Sequence, residues 1–222
     1  MNVLGIIPAR GGSKAIPRKN LAILGGRPLI QWTIDAASQS NLTHLIVSTD
    51  DTEIAELAKS LHVDVPGLRP QHLATDDAKT IDVVLHVLEQ SDSVDAVMVL
   101  QPTSPFRTPQ DINTCLTMLR ESDADSVISV VDVGGFHPGR MKFLEGEVLI
   151  DPPFAETIEN QPRQELRPMY IRNGAIYLTR SEVLRRRTFK GEKSLGYVMP
   201  VERSINIDDP FDLQLATAML SA

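Results

Sequence analysis

Apolar runs alternate with stretches in which apolar positions recur every three or four residues. Val3 to Ile7 has the length and branching of a buried strand. After Pro28, a plausible first helical residue, Leu29, Ile30, Trp32, Thr33, Ile34, Ala36 and Ala37 follow a helical period that fades at Ser40-Asn41. His44 to Ser48 reads as a strand. Thr49-Asp50-Asp51-Thr52 then supplies a cap for a helix carried by Ile54, Ala55, Leu57, Ala58 and Leu61. Val63 to Val65 reads as a short strand before Pro66, and 67–77 as polar loop. A helix over Thr80–Leu88, a central strand over Ala96–Leu100, a helix over Pro109–Leu119 and a strand over Ser126–Val133 follow. This alternation predicts right-handed crossovers and a mainly parallel sheet.

The rhythm breaks at Gly134. From there to Met169, Gly, Pro and charge are scattered through short β-like pieces at Met141–Leu144 and Glu147–Ile150, the pattern of an inserted arm. A core strand returns at Asn173–Leu178. It is followed by a short helix over Ser181–Arg187, a strand over Gly196–Val201 and a terminal helix opened by Pro210. That helix's expected apolar side is Phe211, Leu213, Leu215, Ala216, Met219 and Leu220. The division expected is a catalytic α/β domain of residues 1–133 and 170–222, with 134–169 as the arm.

Composition narrows the class. At 222 residues and 42% apolar content the chain fits one sizeable domain with a full core. A net charge of −7 argues against sequence-independent nucleic-acid binding, which needs a broad basic face. The single cysteine, Cys115, excludes an intramolecular disulfide and a cysteine-based zinc cluster. No stretch approaches the ~20 apolar residues of a membrane span, and the first apolar run is too short for a signal peptide. A soluble cytoplasmic protein is expected.

Against that acidic background the loop after the first strand stands out. Arg10, Lys14, Arg18 and Lys19 fall within ten residues, beside Gly11, Gly12 and Ser13, and no acid precedes Asp35. Glycines let backbone N–H groups approach an anion, and the cations would hold a polyphosphate at the carboxyl end of a strand. The bland alternative is a solvated basic loop. Neither the Walker A spacing nor G-x-G-x-x-G is present.

The motifs IIPARGGSKAIPRKN, STDD, LRP…LATDD, LQPTSPFR, HPGR, QPRQ, NGAIY and INIDDPFD stand in one order over nearly the whole chain. In this the chain resembles the acylneuraminate cytidylyltransferases. The resemblance implies a Rossmann-like three-layer α/β sandwich with a small β-rich dimerisation arm. It implies transfer of CMP from CTP to the anomeric hydroxyl of a nine-carbon 2-keto sugar acid, N-acetylneuraminate or a relative such as legionaminate, with Mg²⁺ as cofactor. Pseudaminate, a deoxy-octulosonate, or a nucleotide-sugar glycosyltransferase are the alternatives.

The resemblance also implies roles. Arg10, Ser13 and Lys19, with the backbone at Gly11 and Gly12, would hold the triphosphate, and Arg10 and Lys19 would carry the rate. Asn20, Arg69 and Thr80, with the backbone near Ala9, would bind cytosine and ribose, although Thr80 serves equally as a helix cap. Gln101 would face the sugar acid. Arg140 and Arg163 match basic positions of the arm, whose residues would reach the partner's active site in a homodimer. Tyr177 would line the sugar pocket or pack in the core, and Arg172 is a weaker candidate. The family's C-terminal D-x-D reads Asn206-Ile207-Asp208 here, so Asp208 is the stronger metal candidate, with Asn206 offering a neutral oxygen.

Overall fold

The computed structural model describes residues 1–91 and 93–221. Ten strands and six α-helices follow in order: β1 (Val3–Pro8), β2 (Ile23–Leu24), β3 (Arg27–Pro28), α1 (Leu29–Ser38), β4 (His44–Ser48), α2 (Thr52–Ser60), α3 (Thr80–Glu89), β5 (Ala96–Val99), α4 (Pro109–Arg120), β6 (Ser126–Asp132), β7 (Phe143–Glu145), β8 (Val148–Ile150), β9 (Tyr170–Arg180), α5 (Ser181–Leu184), β10 (Ser194–Val198) and α6 (Pro210–Leu220). Six strands form the central sheet in the order β10-β6-β9-β5-β1-β4. The sheet is parallel except for β9, which runs antiparallel to both β5 and β6.

Side-chain alternation along the strands builds three layers. On β1, Val3 and Ile7 face one side, where they meet Ile30 and Ile34 of α1, Ile54 of α2, and Ile112 and Leu116 of α4. Leu4 and Ile6 face the other side and meet Ile81, Val84 and Val87 of α3 and Leu184 of α5. Each such fully buried aliphatic side chain contributes about 1.5–3 kcal/mol relative to exposure. A smaller third core joins Ile16 of the first loop to Leu24, Leu29, Ile207 and Ala216, so the glycine loop is pinned to the chain's C-terminal segment.

Capping residues fix several helix starts. Asp51 accepts from the backbone of Glu53 and Ile54 at the head of α2. Thr108 and Asp111 form a reciprocal capping box at α4, and Asp209 and Asp212 form another at α6.

Some sequence expectations are corrected. Val63–Val65 does not form a strand; Asp64 makes a single parallel bridge to Ile46, between the positive φ of His62 and the ring of Pro66. Pro28 ends β3 and caps α1 from outside it. The helix after β9 stops at Leu184. The terminal helix buries only Ala216, leaving Phe211 and Leu215 largely exposed, because the chain packs only one narrow line of it against β2 and the first loop. Segment 134–169 stays outside the central sheet. Its β7 and β8 form a separate hairpin turned at Gly146, with positive φ, and Glu147.

One buried cation ties the sheet's working edge together. Arg107 is 3% exposed. Its Nε donates to the Ala175 carbonyl (2.9 Å), Nη1 to Thr33 Oγ1 (2.6 Å) and Nη2 to the Gln101 carbonyl, joining β9, α1 and the end of β5. Burial pushes its pKa down to about 9, which still leaves it charged at neutral pH. Nearby Asp111 is buried too. Burial works against its ionisation, but donors from Arg203, Tyr197 and Thr108 outweigh it and hold the carboxyl below its usual range.

Replacing Arg107 with Ala strands two carbonyls and a hydroxyl, at about 1–3 kcal/mol for each unsatisfied group. Urea denaturation should show a loss of roughly 3 kcal/mol or more. Arg107→Lys should recover less than half, because one ammonium cannot serve three acceptors arranged for a guanidinium fork.

Candidate active site

The site sits at the carboxyl end of the parallel strands. Ala9 continues β1 by donating to the Ser48 carbonyl (2.9 Å), which locks the start of the glycine loop to the end of β4. Gly11 N–H donates to Asp50 Oδ1 (3.1 Å). A Cβ at Gly11 would lie 2.6 Å from Asp51 Oδ2, so this glycine is required by the cap of α2 behind it. Gly12, in contrast, faces open space.

A cavity of about 300 Å³ opens there. Arg10, Gly12, Ser13, Lys19, Asn20, Arg69, Thr80 and Gln101 all stand on its wall, so residues spread over ninety positions of sequence converge on one place. Ala9 and Gly11 form the layer behind. Asn20 is buried and donates from Nδ2 to the Arg10 carbonyl (2.8 Å), shaping the loop as well as lining the cavity. Arg69 is not a surface arginine. It is 8% exposed, with Nε on Ser48 Oγ and Nη1 on the Leu73 carbonyl (both 3.2 Å) and Nη2 on the Ser48 carbonyl. It therefore fastens one wall to the end of β4 while lining the cavity. Burial lowers its pKa. Thr80 is the first residue of α3, whose cap position is Lys79, so it does not serve as the cap.

The four cations of the first loop do not act as one cluster. Arg18 turns away and pairs with Asp51 (2.9 Å) and Glu53 (3.0 Å). Lys19 reaches across to the C-terminal segment, where Nζ donates to the Ile207 carbonyl (3.0 Å) and to Asp208 Oδ1 (3.2 Å). Arg10 and Lys14 both meet Asp76, at 2.7 and 2.6 Å.

Asn206 turns its amide nitrogen toward Asp208 Oδ2, while its oxygen lies 3.3 Å from Ser104 Oγ. Two oxygens would repel there, so the amide orientation follows from the carboxylate, and Asn206 does not offer its oxygen on the side of Asp208. Asp209 and Asp212 are occupied by their capping box. Among the described residues no group of three His, Cys, Asp or Glu side chains is placed to hold a metal by itself.

Four sequence candidates on β9 and the arm lie away from the cavity wall. Tyr177 faces the α3 and α5 layer and packs on Phe189, with ring centroids 5.9 Å apart, because its neighbours in β9 take the other face. Arg140 is held within the arm by Glu156 and the Gln161 carbonyl. Arg163 pairs with Asp132 (3.0 Å). Arg172 stands on β9 opposite Val130.

Sequence reasoning missed others. Gly174, with φ +77°, lies in β9 where a Cβ would meet Gln101 Oε1 at 2.8 Å, Ser104 Oγ at 3.1 Å and Asn206 Oδ1 at 3.3 Å. Its place in the NGAIY motif, between Asn173 and the apolar run, was its signal. Asp76 stands in the LATDD motif, but the residue pattern there gives it no role beyond that of a solvated acidic loop.

A family model for cytidylyltransferases matches residues 4–188. The chain is 35% identical to CMP-N,N'-diacetyllegionaminic acid synthase of Legionella pneumophila, over 99% of this chain and 97% of that protein. It is 34% identical to an N-acylneuraminate cytidylyltransferase of Streptococcus agalactiae over 94% of its own length, and spans about half (51%) of that relative. Among solved structures, CMP:2-keto-3-deoxy-manno-octonic acid synthetase complexed with CTP superposes with a TM-score of 0.74 over 100% of this chain and 99% of that one. Its 17% identity speaks for the fold. The match over most of the chain, the near end-to-end likeness to the Legionella protein and the polar cavity at the sheet's carboxyl edge lead to one conclusion: the chain belongs to the cytidylyltransferase family and is a nucleotidyltransferase enzyme.

Proposed function

We propose that this enzyme transfers CMP from CTP to the anomeric hydroxyl of a nine-carbon 2-keto sugar acid and releases pyrophosphate. A legionaminate-type acid is the first choice and N-acetylneuraminate the second. The observation that carries the reading is the convergence of Arg10, Ser13, Lys19, Asn20, Arg69, Thr80 and Gln101 on one cavity. The choice of acid rests on the likeness, nearly end to end, to a protein named for CMP-N,N'-diacetyllegionaminic acid.

In this reading Asn20, Arg69 and Thr80 receive the nucleoside, and Arg10, Gly12 and Ser13 receive the triphosphate. Gln101, backed by Gly174, faces the acceptor. The acceptor hydroxyl gives its proton to water as its oxygen bonds the α-phosphorus, the bond from that phosphorus to the oxygen bridging the β-phosphate breaks, and that electron pair leaves with pyrophosphate. Charge grows on the phosphoryl oxygens and the leaving group, so catalysis is mainly positioning and electrostatic stabilisation. Lys19 suits this task because the Ile207 carbonyl and Asp208 hold its ammonium in place before substrate arrives.

Asp208 is the carboxylate of the C-terminal segment left free by the capping box. One carboxylate suits a Mg²⁺ ion that arrives on the triphosphate and keeps several waters. When bound, such an ion neutralises phosphate charge. Asn206 would then hold Asp208 in place and take no part as a ligand on that side.

The arm supports a homodimer. Phe143, Leu144, Val148 and Leu149 of the hairpin are each more than half exposed, and a two-stranded hairpin with bare apolar faces is marginal alone. A second copy would cover them and bring arm residues toward the neighbouring site. A cytoplasmic location suits the nucleotide substrate, and no helix of the described residues is long and apolar enough to cross a membrane.

Pyrophosphate release followed with CTP, Mg²⁺ and a panel of 2-keto sugar acids tests the reading. A legionaminate-type acid should give the highest kcat/KM, and silence with every acid would refute it. Arg10→Met and Lys19→Met should each lower kcat about a hundredfold or more while the fold, read by circular dichroism, stays intact. Asp208→Asn should weaken Mn²⁺ binding to the CTP complex roughly tenfold or more by electron paramagnetic resonance; unchanged binding would remove Asp208 from the metal. Light scattering should give twice the chain mass, and Leu144→Asp with Leu149→Asp should give the monomer.

A further inference from the structure

Asp76 has no part in the chemistry above, yet it pairs with Arg10 of the cradle and with Lys14, an exposed cation of the same loop. It lies on the wall opposite the glycine loop, in the segment between the turn at Leu73 and the start of α3. Its two carboxylate oxygens divide the work. Oδ1 meets Arg10 Nη1 at 2.7 Å, and Oδ2 meets Lys14 Nζ at 2.6 Å. A carboxylate that presents one oxygen to each of two cations copies two oxygens of a phosphate chain. The pairs also join the loop that follows β1 to the loop that leads into α3.

Exposure decides what kind of contact this is. The side chains of Lys14 and Asp76 are 83% and 42% exposed, and that of Arg10 is 35% exposed. These pairs stand largely in solvent, so each is weak and exchanges readily with another anion. Lys19, at 16%, and the buried Arg69 contrast with them, each fixed by backbone carbonyls. Hydrogen bonding from the Lys14 ammonium is the main cause holding the Asp76 carboxyl below its usual range, so it is ionised when the enzyme works.

We propose that Asp76 is a displaceable counter-ion of the phosphate cradle, which occupies Arg10 and Lys14 in the free enzyme, yields them to the triphosphate, and takes them back as pyrophosphate leaves. This rests on the reading of the cavity as a CTP site. It assigns Asp76 a selective effect. A ligand that reaches Arg10 and Lys14 must expel the carboxylate, whereas a nucleoside monophosphate held at the other end of the cavity does not. Asp76 therefore weakens the binding of CTP and pyrophosphate and leaves CMP untouched, which favours turnover over retention of the leaving group.

Calorimetric titration of the full chain with CTP, pyrophosphate and CMP, without acceptor, tests this. Asp76→Asn keeps the shape and removes the charge. It should bind CTP and pyrophosphate about fivefold more tightly, the scale of two exposed ion pairs, with CMP within about twofold of wild type. Asp76→Glu should restore wild-type affinities, which a merely steric role would not do. In a Lys14→Met background the gain from Asp76→Asn should shrink to about half in logarithmic terms, because one of the two pairs is already gone. Unchanged or weaker binding of CTP and pyrophosphate to Asp76→Asn would overturn the proposal, and weaker binding would make Asp76 a ligand of the nucleotide or its metal. The pyrophosphate titration separates the two claims. If wild type binds pyrophosphate but neither nucleotide, the CTP reading falls while the counter-ion is still judged by the pyrophosphate result. If wild type does not bind pyrophosphate at all, the counter-ion falls with it.

Discussion

Lys19 is the point on which the site depends. Its ammonium is tied to the Ile207 carbonyl and the Asp208 carboxylate, across 188 positions of sequence. An ammonium on a flexible four-carbon stem is a poor electrostatic tool unless something holds it. Here the holding is done twice over. Ile16 and Ile207 share a small core with Leu24 and Leu29, so the loop bearing Lys19 and the segment bearing Asp208 are packed together by apolar contact as well as by the polar one. Apolar packing sets the distance, and the carbonyl and carboxylate set the direction.

Much of this was legible in the chain. The period of two in the strands and of three to four in α1 to α4 survives because those elements are buried on the sides the pattern names. The strand over His44–Ser48 and the cap at Asp51 are found where the sequence puts them. The cations after β1 were legible as a group, but their division was not, since Arg18, Lys14 and Lys19 find their partners through tertiary contacts with Asp51, Asp76 and Asp208. Arg69 reads as a nucleoside contact in LRP, but its second role as a buried clamp on Ser48 and Leu73 was not legible for the same reason. Tyr177 shows the opposite failure, because either face of β9 would accept an aromatic ring, and only the register against β5 decides. The apolar positions of α6 and of the arm are spread over both faces of their elements, so no period marks a side that meets its own chain.

The glycines divide by cause. Gly11 is compelled by the carboxylate of Asp51 behind it, Gly174 by its backbone and by three polar atoms crowding it, and Gly12 by neither. Two of the three are thus fixed by packing inside the protein, and the freedom of approach expected of a phosphate loop rests on Gly12 alone. A basic, glycine-rich stretch is a sound pointer to an anion site, but the reason for each glycine is read only from what lies behind it.

The reversed course of β9 has a consequence for how such an enzyme diversifies. Because β9 runs against its neighbours, the chain leaves β6 at Asp132 and re-enters at Tyr170 on the same edge that carries the cavity. The arm therefore hangs beside the site, while the strands and helices that hold Arg10, Asn20 and Arg69 lie toward the other half of the sheet. A change of length or sequence between Asp132 and Tyr170 can be absorbed without moving a β1, β4 or β5 backbone atom. The two halves of the sheet are in this sense separately inheritable: one scaffold can keep the cavity beside β1, β4 and β5 while the neighbouring arm is rebuilt.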